Sequence, residues 1–129
     1  MSAVRLVHAA LPHLQRSKQG RIVFVSSISV RQPIPNLVLS NAIRGAVTGL
    51  AKTLSRELAP QGITVNSLAP DGILTDRIRE LGVTPGSPLG RFGDPSEFAA
   101  ACAFLCSRQA AYITGQTLGV DGGSLLGVH

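Results

Sequence analysis

Apolar residues recur along this chain in two alternating rhythms. Over residues 2–16, Val4, Val7, Leu11 and Leu14 come at three- and four-residue intervals, the spacing of one helix face. The polar run Arg16-Ser-Lys-Gln-Gly20 reads as the helix exit, with Gly20 just past its end. Ile22-Val-Phe-Val25 is apolar on both faces, the pattern of a strand buried in a parallel sheet. Pro33 and Pro35 make residues 26–37 a loop. A second helix is predicted over 38–59, its stripe of Ile43, Ala46, Val47, Leu50, Leu54 and Leu58 meant for the sheet, with Pro60 and Gly62 ending it. Gly45 and Gly49 inside it predict close approach of another element. Ile63–Ala69 reads as the next strand. A Gly- and Pro-rich loop from Pro70 to Pro95 holds a short helix near Thr75–Leu81. A helix opens at Pro95 and runs to about Ser107, and Thr117–Val120 is a last strand before Asp121-Gly-Gly123.

The order α-β-α-β-α-β, with helical crossovers, predicts a parallel sheet layered with helices. A strand as apolar as Ile22–Val25 calls for neighbours on both sides, yet the chain offers it one parallel partner nearby. The expectation is part of a larger sheet.

Composition narrows the class. At 129 residues, 44% apolar and 15% charged, the chain is that of one globular domain rather than a disordered segment. Aromatics are 4%, without Trp and with one Tyr, which removes the stacking platform of a single-strand nucleic-acid binder. The net charge is +5, but the basic residues are scattered and no run of five occurs, so a solvated surface and no nucleic-acid partner are expected. Cys102 and Cys106 sit one helical turn apart, a spacing poorly suited to a disulfide, and read as buried thiols in a reducing compartment. His8, His13 and His129 form no metal-ligand pattern, so no metal is expected. No stretch approaches the roughly 18 apolar residues a membrane span needs, and the opening residues do not read as a signal peptide. A cytoplasmic location is the expectation.

Five ordered blocks then give the chain a likeness: Gly20-Arg-Ile-Val-Phe-Val-Ser-Ser27, Gly45 to Ala59, Gly62-Ile-Thr-Val-Asn-Ser-Leu-Ala-Pro70, Pro88 to Glu97, and Ile113-Thr-Gly-Gln-Thr-Leu-Gly-Val-Asp-Gly-Gly123. Together they resemble the C-terminal half of a short-chain dehydrogenase/reductase, nearest the 3-oxoacyl-[acyl-carrier-protein] reductase type, across essentially the whole chain. The resemblance implies the C-terminal part of a doubly wound Rossmann-type parallel sheet. It implies NAD or NADP as cofactor, hydride transfer with a small carbonyl or alcohol substrate, and homo-oligomers built through helices 2–16 and 38–59. Residues 1–129 then form a single partial Rossmann-like domain. No G-x-x-x-G-x-G follows a strand here, so the pyrophosphate-binding half is absent, and Met1 reads as an internal or misassigned start.

The same likeness assigns candidate residues. Ser27 matches the serine that hydrogen-bonds the substrate carbonyl; the alternative is a serine that only caps the next turn. Ser40, 13 residues on, stands where the family has its acid–base tyrosine, and Arg44 stands at the lysine that binds the nicotinamide ribose and tunes that tyrosine. An aliphatic hydroxyl is a far weaker acid than a phenol, and arginine lacks the point-charge geometry of lysine. Ser40 also reads as a helix N-cap, and Arg44 as a solvated helix arginine. Tyr112 reads as packing. Pro70-Asp-Gly-Ile-Leu-Thr75 resembles the nicotinamide-carboxamide loop through Pro70, Ile73 and Thr75, with Asp71 replacing a glycine at a position that would tolerate positive φ. Residues 77–91 read as a substrate lid with positive charge at both ends. The leading reading is a truncated NAD(P)-dependent oxidoreductase with an atypical active site, inactive by itself. The alternative is a non-catalytic cofactor-binding or oligomerisation protein derived from that family.

Overall fold

The computed structural model describes residues 2–128; Met1, read above as a doubtful start, and His129, one of the three histidines, lie outside them. Helix α1 spans Ser2–Arg16, strand β1 Arg21–Val25, helix α2 Val38–Glu57, strand β2 Thr64–Pro70, helix α3 Asp76–Leu81, helix α4 Pro95–Cys106 and strand β3 Thr117–Val120. Short 3₁₀ turns at Ile28–Val30 and Ala59–Gln61 complete the order, so the stretch expected to be loop throughout contains one helical turn.

All strand pairs are parallel and the order is β1-β2-β3. Val25 pairs with Leu68, and Pro70 with Val120. The central β2 is buried along nearly its whole length, and its two faces serve separate clusters. On one face Val65 packs with Ile63, Ala51 and Leu58, joined by Leu11, Leu14, Ile22 and Phe24. On the other Leu68 packs with Leu105 and Ala110, joined by Val23, Phe98 and Val120. Alternation along the strands thus places α1 and α2 on one side of the sheet and α4 on the other.

Among the described residues strand β1 is an edge, paired with β2 alone, and Val25 is 59% exposed. A groove of about 400 Å³, lined by Leu6, Val7, Ala10, Ile22 and Phe24, runs between this edge and α1. The surface totals 8399 Å² for 13.4 kDa, against roughly 6,500 Å² for a compact monomer of that mass. Large apolar side chains such as Leu6, Val38, Leu39 and Ile43 are among those exposed.

Several local expectations are corrected. Gly20 is not the residue past α1: the helix ends at Arg16, and Ser17 N–H closes on the Leu14 carbonyl. Gly20 is needed because a Cβ there would meet Ile63 Cγ1 at 2.7 Å. The α2 stripe is narrower than its apolar positions suggested. Ala51, Ser55 and Leu58 are buried, Leu54 half-buried, and Ile43 is 62% exposed, because the sheet underlies only the second half of the helix. Nothing among the described residues approaches within 4 Å of a Cβ added at Gly45 or Gly49. Gly62 does terminate the helical segment, with φ of 72°.

Candidate active site

Parallel strands deliver their C-terminal ends to one side of the sheet, and the segment after β1 is where the chain places its serines. Ser26 N–H donates to the Leu68 carbonyl at 2.7 Å, extending the ladder one residue past β1. Ser27 then leaves the sheet in extended conformation and caps the Ile28–Val30 turn, its Oγ accepting the Ser29 N–H at 3.2 Å. The capping alternative for Ser27 is therefore realised. It does not exhaust the hydroxyl, because the bond uses an oxygen lone pair and leaves the O–H to donate.

Arg44 ties α2 to this strand end. Its Nη1 donates to the Ser26 carbonyl at 2.8 Å, and its Nε donates to Ser40 Oγ at 3.2 Å. Arg44 is half-buried, so the solvated-arginine reading is corrected: the long guanidinium spans from helix to strand where a smaller head would reach one acceptor. Ser40 is not an N-cap. The helix starts at Val38, and Leu37 occupies the cap position without a side-chain bond. Asn41 takes over the entry instead, its Nδ2 donating to the Ile34 carbonyl at 2.9 Å. With Nε bound to its oxygen, Ser40 too keeps its O–H free to donate. A groove of about 350 Å³ lies here, lined by Val25, Ser26, Leu39, Ser40, Arg44 and Val47, and the buried Ser26 Oγ has no partner among the described residues.

Pro70 ends β2 on the same side of the sheet, paired with Val120. The loop beyond it diverges from the Ser40–Arg44 groove. Ile73 forms a bridge with Gly93, reinforced by Leu74 N–H to the Gly93 carbonyl at 2.8 Å and Gly93 N–H to the Gly72 carbonyl at 2.9 Å. Ile73 lines a second cavity of about 270 Å³ with Asp71, Ser87, Leu89 and Asp121. Thr75 sits exposed at the start of α3 and makes no side-chain cap. Ser40 and Arg44 are thus in contact, Ser27 and Pro70 share their end of the sheet, and Ile73 and Thr75 belong to a neighbouring loop system. The positive φ in this loop falls on Gly72 (56°), while Asp71 keeps an ordinary backbone.

The positive charge expected at the two ends of the lid is committed at one of them. Arg91 makes two 2.7 Å hydrogen bonds to Glu97 and Arg79 pairs with Asp76 at 2.9 Å, so the Arg91 end is committed, while Arg77 at the other end is exposed and makes no side-chain bond among the described residues. The Arg91 hydrogen bond, helped by the Asp94 N–H, holds the Glu97 carboxyl down at about 2. Ser96 lowers Asp94 through its hydroxyl and N–H. Asp94 caps α4 while Glu97 reaches back to the Asp94 N–H, a reciprocal capping box.

Sequence reasoning passed over Ser26, Asn41 and the Asp94–Glu97 box. The last was legible, since an acidic N-cap three residues before Glu at a proline-led helix is a start signal. Ser26 and Asn41 carry no such signal, because their partners are backbone carbonyls that only the folded loop positions. Tyr112 is fully exposed, which corrects its reading as a packing residue, and Cys106 is exposed rather than buried. Among the described residues no helix is long and apolar enough to cross a membrane, and no three His, Cys, Asp or Glu gather as a metal site.

With this geometry in hand, similarity to known proteins is extensive. A family model described as enoyl-(acyl carrier protein) reductase matches residues 1–124. The 3-oxoacyl-[acyl-carrier-protein] reductase of Vibrio cholerae is 41% identical over 128 residues, covering 95% of this chain and 52% of that protein. The NADPH-bound structure of a short-chain oxidoreductase from Pseudomonas aeruginosa PAO1, which contains an atypical catalytic center, is 34% identical with a TM-score of 0.85 over 95% of this chain and 52% of that one. A 3-oxoacyl-[acyl-carrier protein] reductase from Brucella melitensis with bound NAD is 30% identical, with a TM-score of 0.84 over 95% of this chain and 48% of that one. The chain spans about half the length of these relatives. Its parallel sheet, its serine-terminated first strand and this family match lead to one conclusion: the chain belongs to the short-chain dehydrogenase/reductase family.

Proposed function

We propose that this chain forms the substrate-facing portion of an NAD(P)-dependent oxidoreductase that interconverts a small carbonyl compound and its alcohol, with an acid–base site rebuilt around Ser27, Ser40 and Arg44. The observation that carries this reading is the Arg44 bridge to Ser40 Oγ and to the carbonyl beside Ser27, which holds the chain's own hydroxyls at the ligand-presenting end of a parallel sheet. The residues fit the nicotinamide end of the cofactor. Arg44 Nη2 has no partner among the described residues and would be the donor for a ribose hydroxyl, and Pro70 ends β2 at the same end of the sheet, although Ile73 and Thr75 beyond it turn to the neighbouring loop system. They do not supply the glycine-rich pyrophosphate loop.

When bound, the reduced nicotinamide supplies the hydride. Ser27 donates its O–H to the substrate carbonyl oxygen, stabilising the charge that develops there. Ser40 cannot replace a phenol as an acid by itself; it acts as a relay, passing its O–H proton to the developing alkoxide while an ordered water returns one to Ser40 Oγ and is itself resupplied from bulk solvent. Arg44 holds Ser40 and biases the groove toward negative charge. The exposed apolar faces of α1 and α2, with Leu6 70% and Leu39 76% exposed, support a homo-oligomer through these helices. A cytoplasmic site of action accords with the free cysteines.

One observation favours a second reading, a non-catalytic binding or oligomerisation module: two of the Arg44 donors are spent on the chain's own atoms. The test is a chimaera in which the N-terminal half of the Vibrio cholerae reductase precedes this chain, titrated with NADPH and NADH by fluorescence and assayed for carbonyl-dependent oxidation. Binding with turnover that Ser27→Ala abolishes supports the oxidoreductase. Binding without turnover supports the module.

A further inference from the structure

The two cysteines lie outside everything the proposed chemistry uses. Cys102 and Cys106 occupy successive turns of α4, at the end of the sheet opposite Ser27, and both are free thiols. Residues four apart on a helix share a face, with Cβ atoms about 5–6 Å apart. Cys102 is half-buried against the Leu68–Leu105–Ala110 cluster, and Cys106 is exposed on the last residue of the helix.

That last turn is held before any ligand arrives. Gln19 Nε2 donates to the Cys106 carbonyl at 3.2 Å, Arg21 Nε donates to the Ser107 carbonyl at 3.3 Å, and Ser107 N–H closes on Phe104 at 3.0 Å. The sulfurs therefore need little ordering to act together. No third ligand completes a group of three among the described residues, which excludes a closed tetrahedral zinc site. The geometry suits a soft atom satisfied by two sulfurs.

We propose that Cys102 and Cys106 form a chelating dithiol for a trivalent arsenic oxide, R–As=O. Two As–S bonds form as two S–H bonds and the As=O bond break, and both protons leave with the oxygen as one water. Arsenic stays trivalent and no electron acceptor is required. Burial pushes the Cys106 thiol up, the neighbouring Cys102 thiol adds to this, and Arg21 opposes it. Because the net condensation consumes protonated thiols, that shift slows thiolate attack without opposing the adduct at equilibrium, whereas a divalent cation would have to displace the protons.

The test uses phenylarsine oxide with the 129-residue chain, read by intact mass and by titration of free thiols. The result expected is a one-to-one adduct that removes both titratable thiols and is reversed by a dithiol but not by the same excess of a monothiol. Cys106→Ser, at an exposed position, and Cys102→Ala, which keeps an apolar side chain toward the core, should each weaken binding about 100-fold or more, the advantage of a second linked ligand. Far-ultraviolet circular dichroism verifies the fold of each variant, and Cys106→Ser alone decides the matter if Cys102→Ala does not fold. An adduct as tight in Cys106→Ser as in the natural chain, ready release by monothiol, or no adduct on the natural chain would overturn the proposal.

Discussion

Arg44 shows how much one side chain can tie together. A lysine here would offer one compact ammonium; the guanidinium instead spans the gap between α2 and the end of β1, touching Ser40 and the Ser26 carbonyl. Both contacts are half-buried and both donors belong to one charged guanidinium, so Arg44→Ala should destabilise the fold by about 1.5–3 kcal/mol, measured as a lower urea midpoint at unchanged slope. Ser40→Ala removes only the longer of the two bonds and should cost clearly less. Equal and negligible effects would mean that the bridge is not a structural tie. The sequence pointed to Ser40 and Arg44 as candidates. It did not show the bridge, because the Ser26 carbonyl is a backbone acceptor positioned by the sheet. It misjudged Ser40 as a cap for a related reason, since Asn41 and the Ile34 loop fix where the helix enters.

At the level of elements the hydrophobic rhythm carried most of the information. Among the described residues the three strands and four helices lie where periodicity and turn residues put them, with α1 at Ser2–Arg16 and β3 at Thr117–Val120 as expected and the other elements shifted by at most two residues at an end. What periodicity could not reveal is how much of each apolar face the rest of the chain covers. Helix α2 is the clearest case: its first half overhangs the sheet, and Gly45 and Gly49 face open space. In the isolated chain Gly45→Ala and Gly49→Ala should each stabilise the helix by up to about 1 kcal/mol. If α2 meets a second copy there, the same changes should raise stability while shifting sedimentation toward monomer. Unchanged sedimentation of an oligomeric sample would place the interface elsewhere. Helix α4 depends on charge at its start. Glu97 has a folded-state value depressed to about 2 by Arg91 and the Asp94 N–H. The sign follows from that depression: the contribution is complete above the ordinary glutamate range and is lost as pH falls through about 2. Hydrogen exchange at the first turn of α4 should accelerate across that acid window, and Glu97→Gln should already exchange fast at neutral pH with little further pH response. Identical profiles for the two proteins would contradict this.

At the scale of the whole molecule, the surface excess and the unpaired β1 edge have one cause. A strand apolar on both faces has been placed at the rim of a three-stranded sheet, with a groove beside it. This was legible from Ile22–Val25 alone, since such a strand is rarely left with one neighbour. The separation between the Ser40–Arg44 groove and the Ile73 cavity was not legible, because the Ile73–Gly93 bridge that creates it joins residues 20 apart through a loop with no periodic signal. The central claim, that this family member performs its chemistry without a tyrosine, is tested most directly by comparing two chimaeras carrying the Vibrio cholerae N-terminal half. One has the natural chain and the other its Ser40→Tyr, Arg44→Lys form, both assayed for carbonyl-dependent NADPH oxidation. The account predicts turnover in both, slower in the natural form by up to the roughly 10²–10⁴ that a positioned acid contributes. Turnover confined to the tyrosine–lysine form would contradict it.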